Sequence, residues 1–221
     1  FSMTISMFKI ICVTDRKLCR EPFLTRIEKL AAAGPDAVIL REKDLSNAEY
    51  AGLAASVSEI CQKYNIPCIL HGSAGAAAAS DGTTVHFPAG KLRSLTREEK
   101  NRFSSIGVSC HSAAEAEEAV SLGASYITAG HIFDTECKAG TPGRGTDFLR
   151  EICRLSPVPV YAIGGISPSN IAAVRDAGAD GAMVMSPAMT WEDPAELIFL
   201  LRKAADPGAG EIPAKEGFDE I

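Results

Sequence analysis

Arg41 and Lys43 stand two residues apart at the end of an apolar run, and Lys138 sits in a later loop that also begins with His131. Side chains spaced i, i+2 on a strand point to one side, so Arg41 and Lys43 share a face with Glu42 opposite. Three converging cations repel unless an anion lies between them, and the guanidinium fork of Arg41 suits a carboxylate or phosphate held by two bonds. Gly164-Gly165 closes another apolar run, where bare backbone N–H groups can approach phosphate oxygens. The imidazole of His131 is the side chain best poised to move protons near neutral pH. A proton-transfer group, a set of cations and a phosphate cradle point to chemistry on a small phosphorylated molecule.

Those residues need a frame that brings them together. Strand patterns fall at 8–14, 36–41, 67–71, 83–86, 105–109, 125–129, 158–163 and 180–185. Helical patterns alternate with them at 20–33, 47–64, 74–80, 96–103, 113–122, 146–155, 169–177 and 194–205. Ser46, Ser112 and Asp193 are candidate N-caps, and Gly34, Gly123 and Gly178 candidate helix stops. Eight βα units in a row predict a parallel sheet, and their even spacing favours a single-domain (β/α)8 TIM barrel over residues 8–205. Phrases at 33–36, 122–125 and 177–181 echo one another as helix exits that feed the next strand.

In such a barrel the site lies where strands end and helices begin. This gathers Arg41, Lys43, Ser109, His131, Lys138, Gly164, Gly165 and Ser186, with His71 as a candidate substrate contact. The loops after strands seven and eight, holding Gly164-Gly165 and Ser186, are where barrel phosphates often bind. All four histidines fall at strand ends, with His86 and His111 ranked second. The competing reading of His131 is a histidine satisfied by its own loop.

Composition bounds the rest. The 221 residues carry a net charge of -6 and are 46% hydrophobic. No basic face for nucleic acid or an anionic membrane is indicated, and no apolar run reaches the roughly 18 residues of a membrane span. Seven cysteines without CxxC or Cys/His spacing suggest neither a disulfide framework nor a zinc site, and a reducing cytoplasmic setting is expected. Residues 1–7 read as an appended lead without a signal-peptide pattern, and 206–221 as a flexible acidic Pro/Gly-rich tail. Self-association into a homo-oligomer is left open.

With these motifs the chain resembles the thiamine phosphate synthase/TenI superfamily over residues 8–205. The resemblance rests on VTDR (13–16), LREKD (40–44), IGVSCHSAAEAEEA (106–119), GHIFDTECKAGTPGRG (130–145), AIGGISPSN (162–170) and AGADGAMVMS (177–186). It implies a (β/α)8 barrel and two competing activities in thiamine (vitamin B1) biosynthesis. The synthase branch joins a hydroxymethylpyrimidine pyrophosphate to a thiazole phosphate with magnesium, releasing pyrophosphate. Its usual strand-two Gln is Ile39 here, its usual strand-three Asn-Asp is His71-Gly72, and 82–97 holds no acid. The TenI branch isomerises a thiazole carboxylate phosphate to its aromatic tautomer by a proton shift without metal, and its sixth loop is similar to this one.

The leading expectation is therefore a metal-independent thiazole tautomerase with no cofactor. By that resemblance His131 would be its acid/base. Gly164, Gly165 and Ser186 would hold the phosphate, and Arg41 with Lys138 would meet the carboxylate or phosphate. The second expectation is the synthase, a transferase, with Ser109 and Lys138 on the pyrophosphate; only then would Mg2+ be a cofactor. The third is a non-catalytic regulator that binds a phosphorylated ligand.

Overall fold

The structure, a computed structural model, describes residues 7–206. The expected lead lies outside the described residues apart from its last residue, Met7, and the tail apart from its first, Asp206. Eight parallel strands close into a barrel in sequence order. They are β1 Lys9–Val13, β2 Ala37–Leu40, β3 Cys68–His71, β4 Thr84–Phe87, β5 Ser105–Cys110, β6 Tyr126–Gly130, β7 Val160–Ile163 and β8 Gly181–Val184. The helices are α1 Phe23–Ala32, α2 Asn47–Lys63, α3 Gly72–Ala78, α4 Arg97–Asn101, α5 Ala113–Ser121, α6 Gly145–Leu155, α7 Ile171–Asp176, α8 Ser186–Thr190 and α9 Pro194–Ala205. The sequence pattern missed α8, because a single turn beginning Ser-Pro carries no helical period to read.

Strand alternation divides the apolar residues into two cores. Ile10, Cys12, Val38, Leu40, Val85 and Val108 face outward and are sealed by the helices. Ile11, Val13, Ala37, Ile39, Ile69, Tyr126 and Met183 fill the barrel, with Tyr161, Ile163 and Met185 packed against them. Ile39 lies on the inward face; β2 ends at Leu40, so Arg41 directly follows the strand and Lys43 lies in the turn after it.

Caps fix the helix entries. Ser46 Oγ accepts from Glu49 N while Ser46 N donates back to the Glu49 carboxylate, a full capping box. Ser112 and Asp193 cap α5 and α9 as their sequences predict. The echoed phrases at the opposite end of the barrel share one physical role. Asp36, Ser125 and Asp180 each accept the first free amide of a neighbouring strand, from Ile10, Ile106 and Val160, at 2.8, 3.0 and 2.8 Å. Each such clasp satisfies a strand N–H that lies outside the ladder and sets the register of one pair.

Candidate active site

The end of β2 is held from both sides. Thr14 Oγ1 accepts from Arg41 N at 3.0 Å and donates to Glu42 Oε1 at 2.7 Å. Glu42, buried, also accepts from Arg16 N and Nη1, and Arg16 reaches on to Asp44 in a two-bond fork. All of this binds the acid away from the mouth and leaves Arg41 facing it. Across the strand, the buried Tyr50 of α2 donates to Leu40 O at 2.6 Å and accepts from His71 N at 3.0 Å. One phenol thus locks the ends of β2 and β3 together, and with them Arg41 and His71.

Arg41 and Lys138 lie within electrostatic reach of Lys43. Lys43 lies below its ordinary pKa, first because of the Arg41 charge, then burial, then Lys138. The Arg41 guanidinium meets no carboxylate among the described residues; its recorded side-chain partner is the Met185 sulfur, 3.8 Å away. Mutually unfavourable charge of this kind is relieved by an anion, which suits the mouth to a phosphorylated ligand.

Beneath the cations runs a buried polar chain. His71 and His86 stack, ring centroids 5.8 Å apart at 20°. His86 Nδ1 meets Tyr126 Oη at 3.1 Å and its Nε2 meets Ser109 Oγ at 2.9 Å. Tyr126 has room to enter because residue 107 is glycine: a Cβ there would lie inside the phenol ring. Burial pushes the His86 pKa down to about 3, and burial with the Arg41 and Lys43 charges pushes that of His71 down to about 4. Both rings are neutral at physiological pH.

That burial has a consequence for stability. Unfolded histidine titrates near 6.5, well above both folded values. The stability these two neutral rings contribute is therefore fully present above about pH 6.5 and is lost as pH falls toward 4 and then 3. Equilibrium denaturation should show stability dropping by several kcal/mol across that window, and His86→Gln should flatten the slope. An unchanged slope in that variant would refute the account.

The loop after β6 crosses the mouth. Its 3-10 turn, Glu136–Lys138, carries Cys137, whose Sγ lies 3.4 Å from Ser186 Oγ at the end of β8. Asp134 Oδ1 accepts from Gly143 N at 2.7 Å, closing the loop on itself. His131 packs its Cβ directly against Gly164, as a Cβ on residue 164 would collide with it. Its ring, however, turns to the loop, with Nε2 donating to Thr141 O at 3.0 Å. His111 Nδ1 donates to Gly130 O at 2.9 Å, which steadies the loop's entry.

Gly164 and Gly165 have φ of +102° and +66°. Their amides donate to no backbone carbonyl among the described residues, while their carbonyls bind Phe133 N and Asn170 Nδ2. The structure thus brings Arg41, Lys43, Lys138, His71 and Ser109 to one side of the mouth. Gly164-Gly165 and Ser186 lie at the ends of β7 and β8, reached by the loop that carries His131, Cys137 and Lys138. Sequence reasoning missed Tyr50 and Tyr126, which hold that arrangement, and gave Cys137 no place at the mouth. Tyr126 could have been found from its inward register beside Gly107.

Magnesium would need hard oxygen donors. The ends of β3 and β4 offer His71 and the fully engaged His86, both neutral imidazoles. Among the described residues no three His, Cys, Asp or Glu side chains are grouped to hold a metal ion. These residues do not fit that ion. No helix among them is long and apolar enough to cross a membrane.

Comparison with known proteins gives consistent names. A family model described as thiamine monophosphate synthase matches residues 10–188. A Methanobrevibacter smithii protein named thiamine-phosphate synthase is 35% identical over 187 residues, covering 82% of this chain and 88% of its own length. A Clostridium acetobutylicum protein of the same name is 35% identical over 185 residues, covering 81% and 86%. The solved thiamine phosphate pyrophosphorylase from Pyrococcus furiosus superposes with a TM-score of 0.78 at 27% identity, covering 93% of this chain and 98% of that one. These relatives overturn the leading expectation: they carry the name of the transferase and not of an isomerase. The acid/base role given to His131 rested on the tautomerase and goes with it. The structure supplies a physical reason, since a ring nitrogen committed to the Thr141 carbonyl is what the loop-satisfied reading requires.

Proposed function

The chain belongs to the thiamine monophosphate synthase (TMP-TENI) family, and from that premise we propose that it is a transferase joining a hydroxymethylpyrimidine pyrophosphate to a thiazole phosphate. The observation that carries the reading is the set of mutually repelling cations, Arg41, Lys43 and Lys138, turned toward one space that Glu42 does not enter. In this transfer the bond from the pyrimidine's methylene to pyrophosphate breaks, and negative charge builds on the departing group. Fixed cations aimed at that charge lower the barrier most, because they need no reorganisation during the step.

On this reading Arg41 and Lys43 meet the pyrophosphate from β2 and Lys138 meets it from above, on the loop after β6. Ser109, oriented by His86, donates to the same group, and neutral His71 contacts substrate without adding charge. The amides of Gly164 and Gly165 with Ser186 hold the phosphate of the thiazole at the ends of β7 and β8. Ile39, Tyr126 and Met183 form an apolar floor under the heterocycles. Two anchored phosphoryl groups would hold the reacting carbon and nucleophile in register, which is where much of the rate gain of a two-substrate step arises.

The test is an assay with both substrates, following thiamine phosphate by fluorescence after oxidation and pyrophosphate by a coupled reaction. Equimolar appearance of the two products is expected. Formation of neither, with or without magnesium, would sink the reading.

A further inference from the structure

We infer that the protein holds the pyrophosphate of its donor substrate with its own cations, and that no divalent metal bridges that group to the chain. This rests on the transferase reading and specifies how the leaving group is bound.

The argument begins with where the acids are. Around the mouth, Glu42 is consumed by Thr14 and Arg16, and Asp44 is paired with Arg16 and Lys17. Asp15 accepts from Lys17 N, and Asp134 from Gly143 N. Glu136 is exposed on the loop after β6, a single carboxylate. The strand ends that face the cations, β3 and β4, present imidazoles. His86 has both nitrogens bonded, and its partner Ser109 is a neutral hydroxyl.

Charge then decides which ion the mouth favours. Arg41 and Lys138 already press on Lys43. A dication entering without a carboxylate would add to that repulsion, whereas a polyanion relieves all of it at once. The cations are also held for the task. Arg41 is fixed through its own amide by Thr14, and Lys138 is carried by a loop closed through Asp134, His131 and Cys137. Charge compensation that a metal would otherwise supply is thus present in three side chains.

The experiment is isothermal titration of the full chain with inorganic pyrophosphate, first in EDTA and then in excess magnesium. Binding is expected in EDTA. Magnesium should weaken it, because the metal withdraws free pyrophosphate in solution. Lys43→Gln and Lys138→Gln, both at exposed side chains, should each weaken binding in EDTA about tenfold, the order of one charge-assisted hydrogen bond. Circular dichroism would check that they remain folded. Binding that appears only with magnesium, or tightens tenfold or more on adding it, overturns the inference, as does no binding in either buffer.

A second arm separates this from the transferase reading. Product formation in EDTA supports the inference. Product only with magnesium overturns the inference and leaves the transferase standing. Pyrophosphate bound in EDTA with no product under any condition supports the metal-free anion site and removes the transferase.

Discussion

Arg41→Gln should cut the rate of pyrophosphate release by about a hundred- to a thousandfold, the usual cost of deleting one donor that faces developing charge. The effect should fall on kcat more than on KM, since the guanidinium meets the charge most fully as the bond breaks. Folding stability should change by no more than about 0.5 kcal/mol, the range for side chains without a buried partner. The backbone anchor survives the substitution: Arg41 N still donates to Thr14 Oγ1, and the side chain gives up only the Met185 sulfur contact. A second readout follows from the neighbouring charge. Arg41 is the largest cause of the lowered Lys43 pKa, so its removal should move Lys43 back toward ordinary lysine and shift the alkaline limb of the activity profile upward. A variant with full activity, or one whose alkaline limb stays in place, would refute the assigned geometry.

Gly164→Ala should be the most damaging small substitution in the mouth. The new methyl would collide with His131 Cβ and stand 2.7 Å from His131 Cα, on backbone with φ +102°. Gly123 provides the control, with a closely similar φ of +98° and nothing within 4 Å of an added Cβ. Gly123→Ala should therefore cost only the conformational penalty, about 1–2 kcal/mol. Gly164→Ala adds an overpacking cost of about 1–3 kcal/mol against a strand end that cannot retreat. For a chain of this size the difference corresponds to a further drop of roughly 2–12 °C in Tm. Equal melting temperatures for the two variants would show that close approach of the β6 and β7 ends is not what demands glycine at 164.

The same residue pair shows how far a sequence can be read. That His131 follows one strand and Gly164 closes the next is legible from apolar runs and glycines, and β6 and β7 are indeed neighbours. The direction of the imidazole was not legible, because Thr141 becomes its acceptor only once the loop folds back through Asp134 and Gly143. A proton-transfer role was attached to a ring whose partner lay ten residues away in a loop of no regular pattern. The activity expectation went astray with it, and the relatives correct it toward the transferase.

What the sequence determined by itself was the alternating frame, the barrel it closes into, and the caps at Ser46, Ser112 and Asp193. These follow from periodicity and local hydrogen bonding, both written within a few residues of chain. The tertiary structure alone decided that Tyr50 ties β2 to β3, that Tyr126 passes over β5 through the gap at Gly107 to reach His86, and that Lys138 comes within electrostatic reach of Lys43. Each joins residues twenty to nearly a hundred positions apart in the chain. No local pattern encodes such meetings; closing the barrel creates them, by bringing strand ends that are distant in sequence around one mouth.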